Sequence, residues 1–132
     1  ATATRTPTAT RTPVRTATRT PTPAAPSFTI TAAASPGSVA AGGSTALTVR
    51  VQSRTAGRFL TDVEIYGPNG LVLQRVFEEN YTAGQTRSFV PTWTVPAGAP
   101  AGTHYVKVGV FSPGWSTLYA WADSAGTITV TP

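Results

Sequence analysis

The stretch RFLTDVEIYGPNGLVLQRVFEE, residues 58 to 79, consists of two apolar-rich runs divided by Gly-Pro-Asn-Gly. In the first run Phe59, Val63 and Ile65 alternate with Asp62, Glu64 and Tyr66. Successive side chains of a strand point to opposite faces, so this pattern predicts a strand with one apolar face and one polar face; a helix would scatter the same residues around its circumference. The turn at residues 67 to 70 is a hairpin signal. The second run, LVLQRVFEE at 71 to 79, alternates poorly and reads as a bulged edge strand.

The same period of two recurs on both sides of this hairpin. FTITA (28 to 32) precedes the turn SPGSVAAGGS, and TALTVRVQS (45 to 53) sets Leu47, Val49 and Val51 against Thr48, Arg50 and Gln52. TRSFVPTWTV (86 to 95) follows, with Trp93 in phase with Phe89 and Val95 as a core residue. THYVKVGVF (103 to 111) turns Val106, Val108 and Val110 inward, and GTITV (126 to 130) closes the sheet with Ile128 and Val130. No segment sustains a 3.6-residue period. About seven strands in a segment of this length, punctuated by Gly and Pro, predict an all-β fold: a single antiparallel immunoglobulin-like β-sandwich over residues 27 to 132.

Residues 1 to 26 are of another kind. ATRTPT, ATRTPV and ATRTPT repeat one hexamer, and with almost no apolar side chains such a segment cannot offset the entropy of ordering. It reads as a disordered Thr/Pro linker biased toward polyproline II, of a composition typical of exported spacers, so the expected location is extracellular. The net charge of +5 belongs mostly to this segment, whose Arg5, Arg11, Arg15 and Arg19 have no acid to balance them. The remaining residues hold six basic and five acidic side chains, which argues against a nucleic-acid-binding face. Cysteine is absent, so neither a disulfide nor a thiolate metal site is available. No apolar run is long enough to cross a membrane as a helix, and a start at Ala1 without an apolar leader reads as a piece of a longer precursor.

The run FVPTWTVPAGAPAGTHYVKVGVFSPGWSTLYAW, residues 89 to 121, resembles the C-terminal half of immunoglobulin-like or fibronectin-like accessory domains of secreted bacterial glycoside hydrolases. The likeness extends over most of residues 27 to 132, and the linker in front suits such a modular layout. The resemblance implies a noncatalytic carbohydrate-binding module that tethers an attached enzyme to a plant-type polysaccharide such as cellulose or another β-glycan. The implied partners are that polysaccharide and a catalytic domain in the same precursor. A nucleic acid, a membrane, a cofactor and a metal are not expected, and the domain is expected to be a monomer.

The residues themselves are consistent with a module that performs no catalysis. His104 stands alone at the start of a strand and reads as an edge histidine, and the chain has no thiol nucleophile. Asp62 and Glu64 share one outward strand face and read as solvated, on a sheet with no cleft to exclude water. Glu78 and Glu79 are adjacent and point to opposite faces. The informative segment is FSPGWSTLYAWADSAG (111 to 126), rich in aromatic rings yet reading as a loop. Trp115 follows Pro113 and Gly114 at a loop tip and is the leading contact residue; Tyr119 and Trp121, two apart, would share a side. Phe111 and Tyr105 lie on the outward phase of the preceding strand, so five rings would gather beside Asp62, Glu64, Lys107 and Asp123. Pyranose C–H faces stack on such rings while hydroxyls bond to carboxylates. The competing reading is that the rings cover an open sandwich end, with Trp121 foremost among the packing members. A structural spacer packing against a catalytic domain and a cell-surface adhesion module are the alternative functions.

Overall fold

The computed structural model describes residues 26–132; the linker assigned to residues 1 to 26 lies outside them except for Pro26. The described chain is all-β, with a single 3-10 turn at Pro113–Trp115. Its strands are β1 (Phe28–Ser35), β2 (Ser38–Ala40), β3 (Ser44–Ser53), β4 (Gly57–Gly67), β5 (Gly70–Tyr81), β6 (Thr86–Phe89), β7 (Thr92–Thr94), β8 (Gly102–Phe111) and β9 (Leu118–Thr131). They form two sheets: five strands in the order β2-β9-β8-β4-β5, and four in which β3 pairs with β1, β6 and β7. All pairings are antiparallel except β2 with β9, whose parallel register sets Val39 beside Val130.

The alternation seen in the sequence builds the space between the sheets. Leu47, Val49 and Val51 of β3 face Val63 and Ile65 of β4, Val106, Val108 and Val110 of β8, and Ile128 and Val130 of β9, all buried. At about 25 cal/mol per Å2 of apolar surface removed from water, these branched side chains supply the main driving force. Trp93 fills one end of this core, with His104 against it at a ring separation of 5.3 Å. His104 is fully buried, which corrects its reading as an edge histidine: two residues before Val106, it shares the inward phase of β8.

Two further differences from the sequence reading have simple causes. The strand expected over 86 to 95 is broken into β6 and β7, because Pro91 has no amide hydrogen for the ladder, although its carbonyl still accepts from Leu47 N–H at 2.9 Å. The final strand is far longer than GTITV and takes in most of the aromatic segment that reads as a loop. It runs close enough to β1 that a Cβ on Gly126 would lie 2.7 Å from the carbonyl oxygen of Ala32, so the contact between the two sheets requires glycine there.

Candidate functional site

The outer face of the five-stranded sheet is organised in rows set by register. One row carries Glu78, Leu60, Phe111 and Leu118 across β5, β4, β8 and β9, and the next carries Val76, Asp62, Gly109 and Trp121. A third carries Gln74, Glu64 and Lys107, with Asp123 in the bulge of β9 beyond Lys107. The fourth carries Leu71, Tyr66, Tyr105 and Thr127.

Bulges in β9 decide what that strand contributes. Leu118 pairs with Phe111 but Ala120 with Val110, so Tyr119 is an extra residue. Were Tyr119 paired in the ladder opposite Val110, Trp121 would stand opposite Val108 and point into the core; with Tyr119 bulged, Trp121 stands opposite Gly109 and points outward. Tyr119 itself turns inward, its ring 5.6 Å from that of Phe59 and 6.2 Å from that of Phe28. The expectation that Tyr119 and Trp121 share a side is therefore corrected, since strict alternation does not survive a bulge, and Tyr119 leaves the set of surface residues. A second irregularity, between Ala122 and Gly126, lets Asp123 reach Lys107 with a separation of 2.8 Å between carboxylate and ammonium.

Trp121 lies over Gly109. A Cβ built there would be 2.7 Å from Trp121 Cε3 and 2.8 Å from Phe111 Cε1, so the absent side chain is what allows the indole to lie on the sheet. The ring remains 41% exposed, and its Nε1–H donates to Asp123 Oδ1 at 3.3 Å. Phe111 stacks obliquely on Trp115 at 4.9 Å, and Trp115, 45% exposed, occupies the turn just beyond β8. Its φ of 70° is a left-handed conformation that costs a non-glycine residue about 1 kcal/mol or more.

Asp62 and Glu64 occupy the floor between Trp121 and β5, and they are not solvated as their sequence pattern predicts: they are 3% and 8% exposed. Large neighbours on three strands cover them, a consequence of lateral pairing that strand alternation does not reveal. Gln74 Nε2 donates to Asp62 Oδ1 at 2.9 Å and lies 3.4 Å from Glu64 Oε2. Burial raises the Asp62 pKa above the ordinary carboxylate value; the Gln74 hydrogen bond opposes that shift and the neighbouring Glu64 adds to it. The Tyr66 phenol is also raised, chiefly by its hydrogen bond to Glu64. Lys107 is raised by Asp123, and Asp123 is lowered in turn by Lys107 and then by the Trp121 N–H. The Lys107 ammonium also lies 5.1 Å from the centre of the Tyr66 ring.

Of the nine residues singled out in the sequence, the outer face brings together Asp62, Glu64, Lys107, Phe111, Trp121 and Asp123, with Trp115 against Phe111 and Tyr105 a row away. Sequence reasoning missed Gln74, Tyr66 and Gly109. A lone glycine amid the valines of β8 was the available signal, because glycine in a strand interior marks a close approach. Glu78 and Glu79 are engaged with Arg58 and Arg87 at 2.6 and 3.6 Å, and among the described residues no group of three or more His, Cys, Asp or Glu is placed to hold a metal ion.

The fold and this face define an immunoglobulin-like β-sandwich with one built outer surface. No protein-family model matches the chain, and no curated protein is significantly similar to it in sequence. Among solved structures it is similar to the CARDB domain of a Pyrococcus furiosus protein in complex with di-metal ions, at 13% identity and a TM-score of 0.57, covering 80% of this chain and 94% of that one. The C-terminal domain of Wzt is similar at 12% identity and a TM-score of 0.61, covering 82% of this chain and 74% of that one. A β-glucosidase from Listeria innocua, in complex with glucose, matches at 13% identity and a TM-score of 0.53, over 81% of this chain but only 16% of the enzyme. At such identities the likeness is one of fold alone.

Proposed function

We propose that the domain is a noncatalytic, extracellular carbohydrate-binding module that holds an attached polysaccharide-degrading enzyme on a β-glycan. Trp121 carries the reading: an indole packed over Gly109 on an open sheet face, 41% exposed, with fixed hydrogen-bonding groups beside it. A pyranose ring can stack on that platform while its hydroxyls meet Asp62, Glu64, Gln74 and Asp123. Exposed aromatic surface with adjoining polar groups is the usual mark of an interaction site. The resemblance of residues 89 to 121 to accessory domains and the Thr/Pro segment before the sandwich support the same layout. A sandwich of this fold also forms part of a β-glucosidase, which is an argument by analogy only.

A binding role suits these carboxylates better than hydrolysis. Cleaving a glycosidic bond needs two carboxyl groups flanking it, whereas Asp62 and Glu64 project from one strand and share one amide. The test is retention of the purified chain on insoluble cellulose, mannan, xylan and chitin. Trp121→Ala should weaken retention about five- to a hundred-fold, taking base–aromatic stacking as the nearest measured analogue. If the parent chain stays in the supernatant with every glycan, the spacer reading replaces this one.

A further inference from the structure

The inference here rests on the glycan reading and narrows it. Asp62 and Glu64, both little exposed, lie in the rows at and beside Trp121, and the donor they share is the neutral amide of Gln74. Lys107 stands directly opposite Glu64 in the register of β4 and β8, yet its ammonium is committed to Asp123. Arg58 is committed to Glu78, and Arg75 donates to the Gln74 carbonyl at 2.9 Å along the strand edge. Among the described residues, no cation lies within ion-pair distance of Asp62 or Glu64. Buried charges are ordinarily paired, because an uncompensated one bears a desolvation cost of several kcal/mol.

We infer that the Asp62–Glu64 floor is a subsite for a positively charged group on the ligand, the ammonium of an amino sugar whose ring stacks on Trp121. An ammonium offers three charged donors to the carboxylate oxygens, where the Gln74 amide that they share and the Tyr66 hydroxyl on Glu64 are both neutral. Gln74 is exposed, so its side chain can swing off the floor and let a charged donor replace a neutral one. The indole beside the floor adds to the preference, since tryptophan is the best aromatic partner for a cation. A bare divalent ion fits less well, because it asks for six or more oxygen ligands and two carboxylates do not provide them. With Asp62, Glu64 and Asp123 against Lys107, the face also repels a uronate.

The test compares β-1,4-linked glucosamine oligomers with their N-acetylated counterparts of equal length, with cello-oligosaccharides and with oligogalacturonate. The purified chain is titrated calorimetrically at about pH 6, below the usual α-amino range. The amine oligomer should bind about tenfold or more tightly than the acetylated one, as charge-assisted hydrogen bonds are worth roughly 1.5–3 kcal/mol. Asp62→Asn combined with Glu64→Gln should erase that ratio, weakening the amine oligomer about tenfold or more beyond any loss it causes for the neutral one. Gln74→Lys, which supplies the cation internally, should erase it too while keeping the fold intact. Equal affinity for amine and acetylated oligomers overturns the inference but leaves the glycan reading standing, whereas no binding of any oligomer overturns both. An oligolysine that binds as tightly as the amino sugar, and still does so in Trp121→Ala, also overturns the inference.

Discussion

The two outer faces of the sandwich belong to one all-β fold and share little chemistry. On the four-stranded sheet the outward residues are Thr29, Thr31, Ala33, Thr48, Arg50, Gln52, Thr86 and Ser88, and the shallow depression lined by Thr31, Ala33, Thr48 and Arg50 has no large ring in it. On the five-stranded sheet the outward residues include Trp121, Phe111, Tyr66 and Tyr105, with two buried carboxylates among them. Short threonine and serine side chains leave a strand wetted, because they cover little of the surface between lateral neighbours even where they bond across it, as Ser44 and Thr94 do at 3.2 Å. Long side chains in four adjacent strands cover one another, and the polar groups beneath them become dry. An outer face can thus shield polar groups from solvent without a second sheet over it, and a shielded charge is recognised more strongly than a wetted one.

The comparison can be broken most forcefully from inside. Trp93 is 3% exposed in the core and belongs to neither outer face, so Trp93→Ala should lower the unfolding free energy by about 3–5 kcal/mol in urea titrations without altering the affinity of the fraction that remains folded. Gly109→Val comes next. Its side chain would occupy the space of Trp121 and Phe111, at a cost of about 1–3 kcal/mol for overpacking, and it should weaken glycan retention as much as Trp121→Ala does. Retention that survives Gly109→Val would show that the indole platform is not the contact surface.

Trp115→Gly separates strain from contact. Glycine accepts the positive φ freely, so the lost ring packing on Phe111 is partly offset and the melting temperature should move little, while retention falls less than in Trp121→Ala. A large drop in melting temperature would mark Trp115 as a packing residue.

The smallest effect concerns pH. Folding raises the Asp62 pKa, so the folded chain holds that proton more tightly than the unfolded one. The associated stabilisation is present in full below the unfolded value of about 3.9 and is lost as pH rises through the folded value. Asp62→Asn should therefore be more stable than the parent near neutral pH, with the gap closing as thermal melts are taken toward about pH 4. Thr31→Ala on the opposite face should change stability by less than about 0.5 kcal/mol at any pH and leave retention untouched.

Local sequence was sufficient for the strands and for the inward residues. The period of two in TALTVRVQS and THYVKVGVF assigns Leu47, Val49, Val51, Val106, Val108 and Val110 to the core, and the structure buries all of them. The same information places Asp62, Glu64, Lys107 and Phe111 on outward phases, because a strand's own pleat fixes which side each residue takes. What it does not contain is the lateral register. The extra residue at Tyr119 reverses the phase of β9 beyond it, so that Trp121 points outward while Tyr119 points inward, and this is defined only by pairing with β8. The burial of Asp62 and Glu64 depends likewise on Gln74, Lys107 and Trp121 arriving from three other strands, up to 59 positions away along the chain. Pleat is a property of one strand and is written locally; register and coverage belong to several strands at once, so only the tertiary structure decides them.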